Sequence, residues 1–454
     1  MKPLGAVTAV VVAITAAKLA LASHWGLLAD EAYYWVWSLR PAAGFYDQPP
    51  LMAWVLLAVR STLGSSPLAL RLVPVLMGIL GTFALLPYVR DRALWSLWWV
   101  AIPPLAWLTL FSTPDALLLG AWAVGLAAGI RGGWGWVLAG VAAGLASQAK
   151  YSGFALYPLL LCGAGPAVLR EPRAWLGLAL AVGIAAPNAL WVASHDAVTL
   201  RFQASEGIWH PRAPGLWGPP LQALGQLVVV TPVAAAAGGV WAWRRSREVL
   251  SGTGDVVERM CWWTSVPLLL FFFAAALGGP PEAHWPAAAW IGIGVGLCRS
   301  QALSKAAWTG AWFALLCSAG LAVHGVWPWM SLPNDPAVRL TEGESLGAVV
   351  GRFALPDGVA AWEPGVDRAM PVYTERYQEA ALIHYYTGIE ARVLPGCGRA
   401  NQYDLWPHEV SEQGLFVRPR TGGPPTCASV HWTEVSSPQN LGRWQIFEGT
   451  SWTN

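Results

Sequence analysis

Three carboxylates lie in one short stretch of an otherwise apolar chain. Residues 30–50 read DEAYYWVWSLRPAAGFYDQPP and contain Asp30, Glu31 and Asp47 among several aromatic residues. A carboxylate can act as a general base. Placing an ionisable side chain inside a membrane costs free energy, and the ionisable residues found there usually face a cavity and have a function. A structural alternative remains for Asp30 and Glu31, because acidic residues cap helices and interact favourably with the N-terminal end of the helix dipole.

Two further charged residues lie at the ends of apolar segments. Asp115, in STPDALLLG, opens one segment, and Lys150, in GLASQAKYSG, lies where two segments meet. The structural alternatives are an N-cap after Pro114 for Asp115 and a snorkelling lysine for Lys150. The functional hypothesis is that Lys150 is the partner of an anion.

Several other candidates follow along the chain. Arg201 lies in LRFQ, His210 and Arg212 lie in EGIWHPRAPG, and His284 lies in PPEAHWPAAAW. A lone histidine is more often neither a ligand nor a catalyst. If these groups share one membrane face, they suit a reaction on a lipid-linked phosphate, with a carboxylate as base and cations that neutralise the phosphate.

The composition identifies the elements that must position these groups. Of 454 residues 55% are hydrophobic and 12% are charged, and the mean hydropathy is +0.44. Soluble domains carry about 25% charged residues, so the chain is predicted to be a polytopic membrane protein. The net charge of +2 gives no indication of nucleic-acid binding. The N-terminal apolar run is longer than a typical signal peptide core and contains Lys18, so we interpret it as an uncleaved first helix.

Apolar segments of membrane-spanning length recur along the first 330 residues. Breaks at charges and at Pro/Gly clusters predict about eleven spans. They lie near 5–23, 68–89, 93–110, 112–130, 133–149, 152–169, 174–193, 219–243, 261–278, 285–299 and 306–327.

The distribution of basic residues predicts the orientation. Nearly every basic cluster in a short loop falls on one side, which the positive-inside rule makes cytoplasmic. The outer side then receives most of the acids of the membrane region, together with a long aromatic first loop at 24–67. Its amphipathic segments are expected to lie as helices in the interface. The basic clusters include Arg90 and Arg92, Arg170 and Arg173, and Arg244, Arg245 and Arg247.

Residues 331–454 are predicted to form a separate α+β domain outside the membrane. Charge and polarity rise to soluble levels, and about 120 residues suffice for a small domain. GLFVRPR and CASVHW are typical of strands, and YQEAALIHYYTG is typical of a helix that Gly388 ends. Cys397 and Cys427 are the two cysteines of this tail, and they could pair in an oxidising compartment.

The motifs quoted above, in this order, resemble those of a known superfamily. DEAYYWVWS followed by GFYDQPP, then STPDALLLGAW, GLASQAKYSG, APNALWVASHDAVTLRFQ, EAHWPAAAW, RYQEAALIHYYTG and RANQYDLW are similar to segments of the aminoarabinose-transferase and protein O-mannosyltransferase superfamily. The resemblance covers most of the chain. It implies a membrane glycosyltransferase of the C-type fold that uses a polyprenyl-phosphate sugar, in a bacterial inner membrane with the C-terminal domain in the periplasm.

The resemblance also implies roles for individual residues. Asp30 matches the proposed catalytic base, with Glu31 beside it, and Asp115 matches a second acid of the site. Asp47 and His210 correspond to a pair that binds a metal or lies on the phosphate side, so a divalent ion is a candidate cofactor. Lys150, Arg201, Arg212 and Tyr46 are candidates for binding the donor phosphate, and His284 and Tyr151 are further candidates. The residue after the acid of YDQPP is often Lys or His in relatives but is Gln48 here, which cannot pair with phosphate by charge.

The implied reaction is an inverting transfer to a lipid A-like or glycan acceptor. Three alternatives remain open: the same chemistry on protein hydroxyls, a transporter or flippase for a lipid-linked sugar, and a non-catalytic assembly subunit. A transporter is expected to show repeats and broken polar helices at the bilayer midplane, whereas the polar residues gather at one face here. The sugar and the acceptor are not determined by the sequence.

Overall fold

The computed structural model of the chain is mostly helical and contains two compact units. It describes residues 4–207, 215–279, 282–330, 335–354, 370–394, 396–406, 411, 413–420, 430–434 and 443–452. The first unit comprises Met1–Ala22, Ala42–Val55 and Leu63–Val323, and the second comprises Ser23–Pro41, Leu56–Thr62 and His324–Asn454. Each of these units combines segments from different parts of the chain, whereas the predicted domains, 1–330 and 331–454, are continuous. The predicted division stays a prediction.

Before residue 330 the described chain forms helices and short turns. The helices are α1 (Leu4–His24), α2 (Ala29–Leu39), α3 (Leu51–Leu63), α4 (Pro67–Leu85), α5 (Arg92–Ala101), α6 (Pro103–Leu108), α7 (Pro114–Arg131), α8 (Gly135–Ala149), α9 (Leu156–Ala164), α10 (Pro172–Ser194), α11 (Val198–Phe202), α12 (Gly218–Val230), α13 (Pro232–Leu250), α14 (Val256–Trp263), α15 (Val266–Ala275), α16 (Ala289–Arg299) and α17 (Ser304–Val326).

Each predicted apolar span contains one of these helices or a broken pair of them. Proline explains two of the breaks. The segment predicted at 93–110 is divided before Pro103, and the one at 219–243 is divided at Thr231, whose φ is 80° and which precedes Pro232. Proline lacks the amide N–H that continues a helix and disfavours a helical conformation at the preceding residue. The helices α12 and α13 consequently meet at a bend of 115°.

Several of the described helices are long and apolar enough to cross a membrane. Four meet this criterion among the described residues, and the number rises to six if each of two bent pairs counts as one span. The more specific prediction of about eleven spans therefore stays a prediction. The four are Pro67–Tyr88, Pro172–Ser194, Val256–Ala275 and Ser304–Val326.

Small residues allow close helix packing in the first unit. A Cβ added at Gly140 of α8 would lie 2.0 Å from the carbonyl oxygen of Gly177 of α10. Such an approach is available only to glycine at this position. Small residues at helix contacts are typical of membrane proteins, because van der Waals packing replaces the hydrophobic effect as the driving force there.

The second unit contains a mixed sheet and the remaining helices. The elements are α18 (Pro336–Arg339), α19 (Glu342–Ala354), β1 (Val372–Thr374), α20 (Tyr377–Thr387), β2 (Arg392–Val393), α21 (Gln402–Leu405), β3 (Gly414–Pro419), β4 (Val430–Glu434) and β5 (Trp444–Trp452). The sheet has the order β2-β1-β3-β5-β4, in which β1 is parallel to β2 and β3, and β5 is antiparallel to β3 and β4.

The predicted helix and strands of the tail are found. The helix α20 ends at Gly388, whose φ of 73° is the left-handed conformation typical of a helix C-terminus. Phe416 of β3 faces Phe447 of β5 in register, and both belong to a small core with Tyr373, Leu394 and Cys397. Cys397 is disulfide-bonded, and Cys427 lies outside the described residues.

Candidate active site

The acidic pair at the start of α2 divides into a structural carboxylate and an exposed one. The N-cap of α2 is Leu28, so Asp30 and Glu31 both lie in the first turn. Glu31 is fully buried, and its Oε2 accepts a hydrogen bond from the backbone N–H of Leu28 at 3.0 Å. This bond satisfies a backbone donor that the helix itself leaves unpaired. The structure therefore gives Glu31 a helix-capping role, and the catalytic role proposed for it from the resemblance is untested.

Asp30 is exposed at the surface of the second unit. The hydroxyl of Tyr377 donates a long hydrogen bond of 3.4 Å to Asp30 Oδ1. The ring of Tyr377 lies 4.3 Å from that of Tyr33, and the guanidinium of Arg399 lies 5.2 Å from the Tyr377 centroid. A carboxylate beside a helix N-terminus is stabilised in its ionised form by the helix dipole. Asp30 is thus an accessible carboxylate held next to a fixed phenol.

The C-terminal part of the chain positions α2 within the second unit. The hydroxyl of Tyr386 accepts a hydrogen bond from the backbone N–H of Leu27 at 2.9 Å. Trp35 makes edge-to-face contacts with His384 and Tyr385 of α20. The hydroxyl of Tyr33 accepts a hydrogen bond from the backbone N–H of Gln402 at 2.8 Å. Residues separated by more than 340 positions therefore hold the helix that carries Asp30.

In the first unit, Asp115 and Lys150 form an enclosed ion pair. Lys150 Nζ lies 2.7 Å from Asp115 Oδ1, and the two side chains are 12% and 9% exposed. The N-cap of α7 is Thr113, so Asp115 lies in the first turn and is not the cap itself. Lys150 follows the last residue of α8 in extended conformation. The helix start and the helix end therefore bring opposite charges together.

A histidine accompanies this ion pair, and two buried hydroxyls lie close to it in sequence. His284 is close enough to Asp115 for a charge interaction, because the short turn Trp285–Ala288 packs against α7. Within the described part of the chain, Thr113 Oγ1 and Ser152 Oγ are buried and have no hydrogen-bond partner. Buried polar atoms are normally paired. Because Thr113 and Ser152 lie two residues from Asp115 and Lys150 in the sequence, their hydroxyls are candidates for hydrogen bonds to a polar ligand.

The YDQPP segment is fixed by α10, α11 and the turn that follows. Asn188 Nδ2 donates to the carbonyl of Ala43 at 3.2 Å, Thr199 Oγ1 to that of Phe45 at 2.9 Å, and Gln203 Nε2 to that of Asp47 at 2.8 Å. A Cβ at Gly44 would lie 2.3 Å from the ring of Trp191, so the backbone lies directly on α10.

These contacts place three candidate residues in one region of the first unit. The ring of Tyr46 lies 5.3 Å from that of Phe202, the neighbour of the exposed Arg201. Asp47, 7% exposed, follows Tyr46 directly. Tyr151 adds a fourth, because its hydroxyl donates at 3.3 Å to Oδ1 of Asn188, the residue whose Nδ2 bonds to Ala43.

The metal hypothesis rests on Asp47 alone in the described structure. His210 and Arg212 lie outside the described residues. Among the described residues there is no group of three or more His, Cys, Asp or Glu side chains that could hold a metal ion. Gln48 is half-buried, and its Oε1 finds no hydrogen-bond partner among the described residues. A divalent ion at Asp47 and His210 therefore stays a proposal.

Comparisons with known proteins identify the class of fold. ArnT from Cupriavidus metallidurans, in its apo crystal structure, superposes with a TM-score of 0.66 at 15% identity, covering 98% of both chains. Its structure bound to undecaprenyl phosphate gives the same values. The chain therefore has the ArnT fold, a C-type membrane glycosyltransferase fold, as the resemblance predicted.

Two sequence comparisons agree with this class. Residues 47–191 match the family model described as dolichyl-phosphate-mannose-protein mannosyltransferase. The lipid A galacturonosyltransferase RgtD of Rhizobium johnstonii is 26% identical over 450 residues, which cover 92% of this chain and 90% of that protein. The resemblance to the aminoarabinose-transferase and protein O-mannosyltransferase superfamily is confirmed.

Sequence reasoning missed the residues of the tail that surround Asp30. Tyr377 lies in the segment RYQEAALIHYYTG, which was interpreted as a helix and as part of the resemblance but not as part of a site. Arg339 and Arg376 lie in a tail whose many charges were attributed to a soluble surface. No local spacing relates these residues to Asp30, because the contact spans more than 300 positions of the chain.

Proposed function

We propose that this chain is an inverting membrane glycosyltransferase, a hexosyl- or pentosyltransferase that moves a sugar from a polyprenyl-phosphate donor to a lipid A-like or glycan acceptor. The ArnT fold, known with bound undecaprenyl phosphate, supports the donor class, and the similarity to RgtD supports the acceptor class. Within this chain, the observation that carries the proposal is the exposed carboxylate of Asp30 at the N-terminus of α2.

In the proposed reaction an acceptor hydroxyl attacks the anomeric carbon of the donor sugar. The new carbon–oxygen bond forms on the face opposite the phosphate, and the bond from the anomeric carbon to the phosphate oxygen breaks. Asp30 takes the acceptor proton, and the polyprenyl phosphate leaves with the bonding electron pair. The transition state has oxocarbenium character, as in other glycosyl transfers. A positioned base contributes about 10²–10⁴-fold to such a step.

Lys150 is proposed to stabilise the leaving phosphate. An ammonium group has three N–H donors, and one of them is directed to Asp115. In this proposal Asp115 orients Lys150, while the remaining donors and the unpaired hydroxyls of Thr113 and Ser152 are available to phosphate oxygens. Arg201, Arg212 and Tyr46 are proposed as further contacts of the donor phosphate.

A divalent ion, if bound, is proposed to be held by Asp47 and His210 and to neutralise phosphate charge. The proposed location is the bacterial inner membrane, with the residues from about 330 onward in the periplasm.

The function is tested by mass spectrometry of the host's lipids, glycans and proteins after deletion of the gene. One sugar is expected to be missing from one lipid or glycan class and to return with the wild-type chain but not with Asp30→Asn. Glu344→Gln is the matched control, because Glu344 is also an exposed first-turn acid of the second unit. Unchanged lipids and glycans would contradict the proposal, and a sugar lost from proteins would identify a protein acceptor.

A further inference from the structure

The second unit contains a cavity that the sequence did not predict. It has a volume of about 410 Å³, within the range of roughly 300–1,000 Å³ typical of small-molecule sites. The start of α2 with Asp30 forms one part of its wall, and α18, α19, the start of α20 and Trp444 form the rest. All of these elements belong to the second unit.

Most charges of the cavity wall already have partners in the protein. Arg376 is ion-paired with the buried Glu379, and Arg443 Nη1 lies 3.1 Å from Glu342 Oε2. Asp335 Oδ1 lies 2.9 Å from both His324 Nε2 and the backbone N–H of Ala337, which satisfies this carboxylate internally. The wall therefore contains Arg–Glu ion pairs whose planar polar groups neutralise each other. A surface of this type can form hydrogen bonds with the hydroxyls of a sugar.

Arg339 differs from the other two arginines of the wall. It is exposed, and within the described residues it has no carboxylate partner. It comes from α18, whereas Asp30 comes from α2. Guanidinium groups bind phosphate and carboxylate in a fork geometry that matches two acceptor oxygens. The wall thus offers an uncompensated cation together with the carboxylate proposed as the base.

We propose that this cavity is the acceptor subsite and that it binds a saccharide headgroup carrying an anionic group. The headgroup presents a hydroxyl to Asp30 and its phosphate or carboxylate to Arg339, while the paired charges bond to its other hydroxyls. The proposal rests on the proposed function and adds the location and the charge of the acceptor. A donor phosphate is a second source of the same anionic chemistry, and the kinetic experiment separates the two.

The kinetic test uses the purified full-length chain in lipid nanodiscs with phosphorylated and dephosphorylated forms of one acceptor lipid. Arg339→Gln is expected to raise the acceptor KM about tenfold or more, the effect of losing one charge-assisted hydrogen bond. The donor KM and kcat are expected to stay within about twofold, and the effect is expected to vanish with the dephosphorylated acceptor. Arg352→Gln, an exposed arginine in the last turn of α19, is the matched control.

A rise of the donor KM alone would overturn the proposal in favour of a donor site. An equal loss of activity with both acceptor forms would overturn it as well, because Arg339 would then not recognise the anion.

A binding arm keeps the cavity testable apart from the transfer reaction. Saturation-transfer NMR on the same nanodiscs compares glucosamine 1-phosphate with glucosamine. The subsite is supported if the phosphorylated sugar binds to wild type and Arg352→Gln but not to Arg339→Gln. That result supports the subsite even if no transfer is found, and only the proposed function then fails. Equal binding of the phosphorylated sugar by wild type and Arg339→Gln would overturn the subsite, whatever the transfer assay shows.

Discussion

The starts of α2 and α7 place the same local signal in different environments. Each helix carries an acid in its first turn, Asp30 in α2 and Asp115 in α7. Asp30 is exposed on the wall of a polar cavity, whereas Asp115 is enclosed and paired with Lys150 at 2.7 Å. A carboxylate that must accept a proton needs access to its substrate, and one that must hold a lysine needs enclosure. Burial and partners, which the local sequence does not encode, separate the roles proposed for the two carboxylates.

Asp30→Asn is expected to have the largest effect on activity. We expect transfer to fall about 10²–10⁴-fold, the usual contribution of a general base, because the amide cannot take the acceptor proton. The thermal midpoint should hardly change, since Asp30 is exposed. Transfer assays and melting curves on the same preparations check both parts. Full activity in this variant would remove Asp30 from the mechanism.

Lys150→Met tests the other half of the comparison and is expected to lower both stability and transfer, because Lys150 neutralises Asp115 and is proposed to bind the leaving phosphate. Removing one partner of an enclosed pair leaves an uncompensated charge, so the free energy of unfolding should fall by about 3–5 kcal/mol. The double variant Asp115→Asn with Lys150→Met should recover much of that loss. Denaturation of the purified variants measures it, with Lys305→Met at an exposed lysine as control. Equal stability of all variants would show that the pair contributes nothing.

Acidification is expected to destabilise the contact that supports Asp30. Burial lowers the pKa of His384, which packs against Trp35 of α2, to about 4, and the charges of Glu390 and Arg40 act on it in opposite directions. The unfolded chain takes up a proton at its ordinary pKa of about 6.5. The free energy of unfolding should therefore fall as pH drops from about 6.5 to 4, by about 3 kcal/mol.

Unfolding measured between pH 7 and pH 4 checks this slope. His384→Gln should reduce it, and His195→Gln, at an exposed histidine of the first unit, should leave it unchanged. The same slope in wild type and His384→Gln would contradict the assignment.

Tyr377→Phe is expected to have the smallest effect and sharpens the role of Asp30. The hydrogen bond from Tyr377 to Asp30 is long, at 3.4 Å, so its loss should lower kcat only about two- to tenfold. Because the phenol donates to the carboxylate, the acidic limb of the kcat/KM profile should move to higher pH. A shift of this limb would indicate that Tyr377 positions Asp30 by hydrogen bonding, because loss of packing alone would not move it. An unchanged pH profile would exclude this role.

Much of the architecture was predictable because helices and strands depend on nearby residues. The apolar segments, the helix ended by Gly388 and the strand Gly414–Pro419 were predicted from periodicity and from glycine, whereas the break at Thr231–Pro232 within the span predicted at 219–243 was not. The candidate acids at the starts of α2 and α7 were also visible, since acids favour helix N-termini.

The tertiary structure alone decided the surroundings of those residues. It buried Glu31 as a helix cap, exposed Asp30 and paired Lys150 with Asp115. It also brought Tyr377 and the cavity of the second unit to α2, across more than 300 positions of the chain. Local patterns specify backbone conformation, whereas burial, ion pairing and cavities arise from contacts between segments distant in sequence. The class of this protein is therefore apparent in its residues, and the different surroundings of its carboxylates are apparent only in its fold.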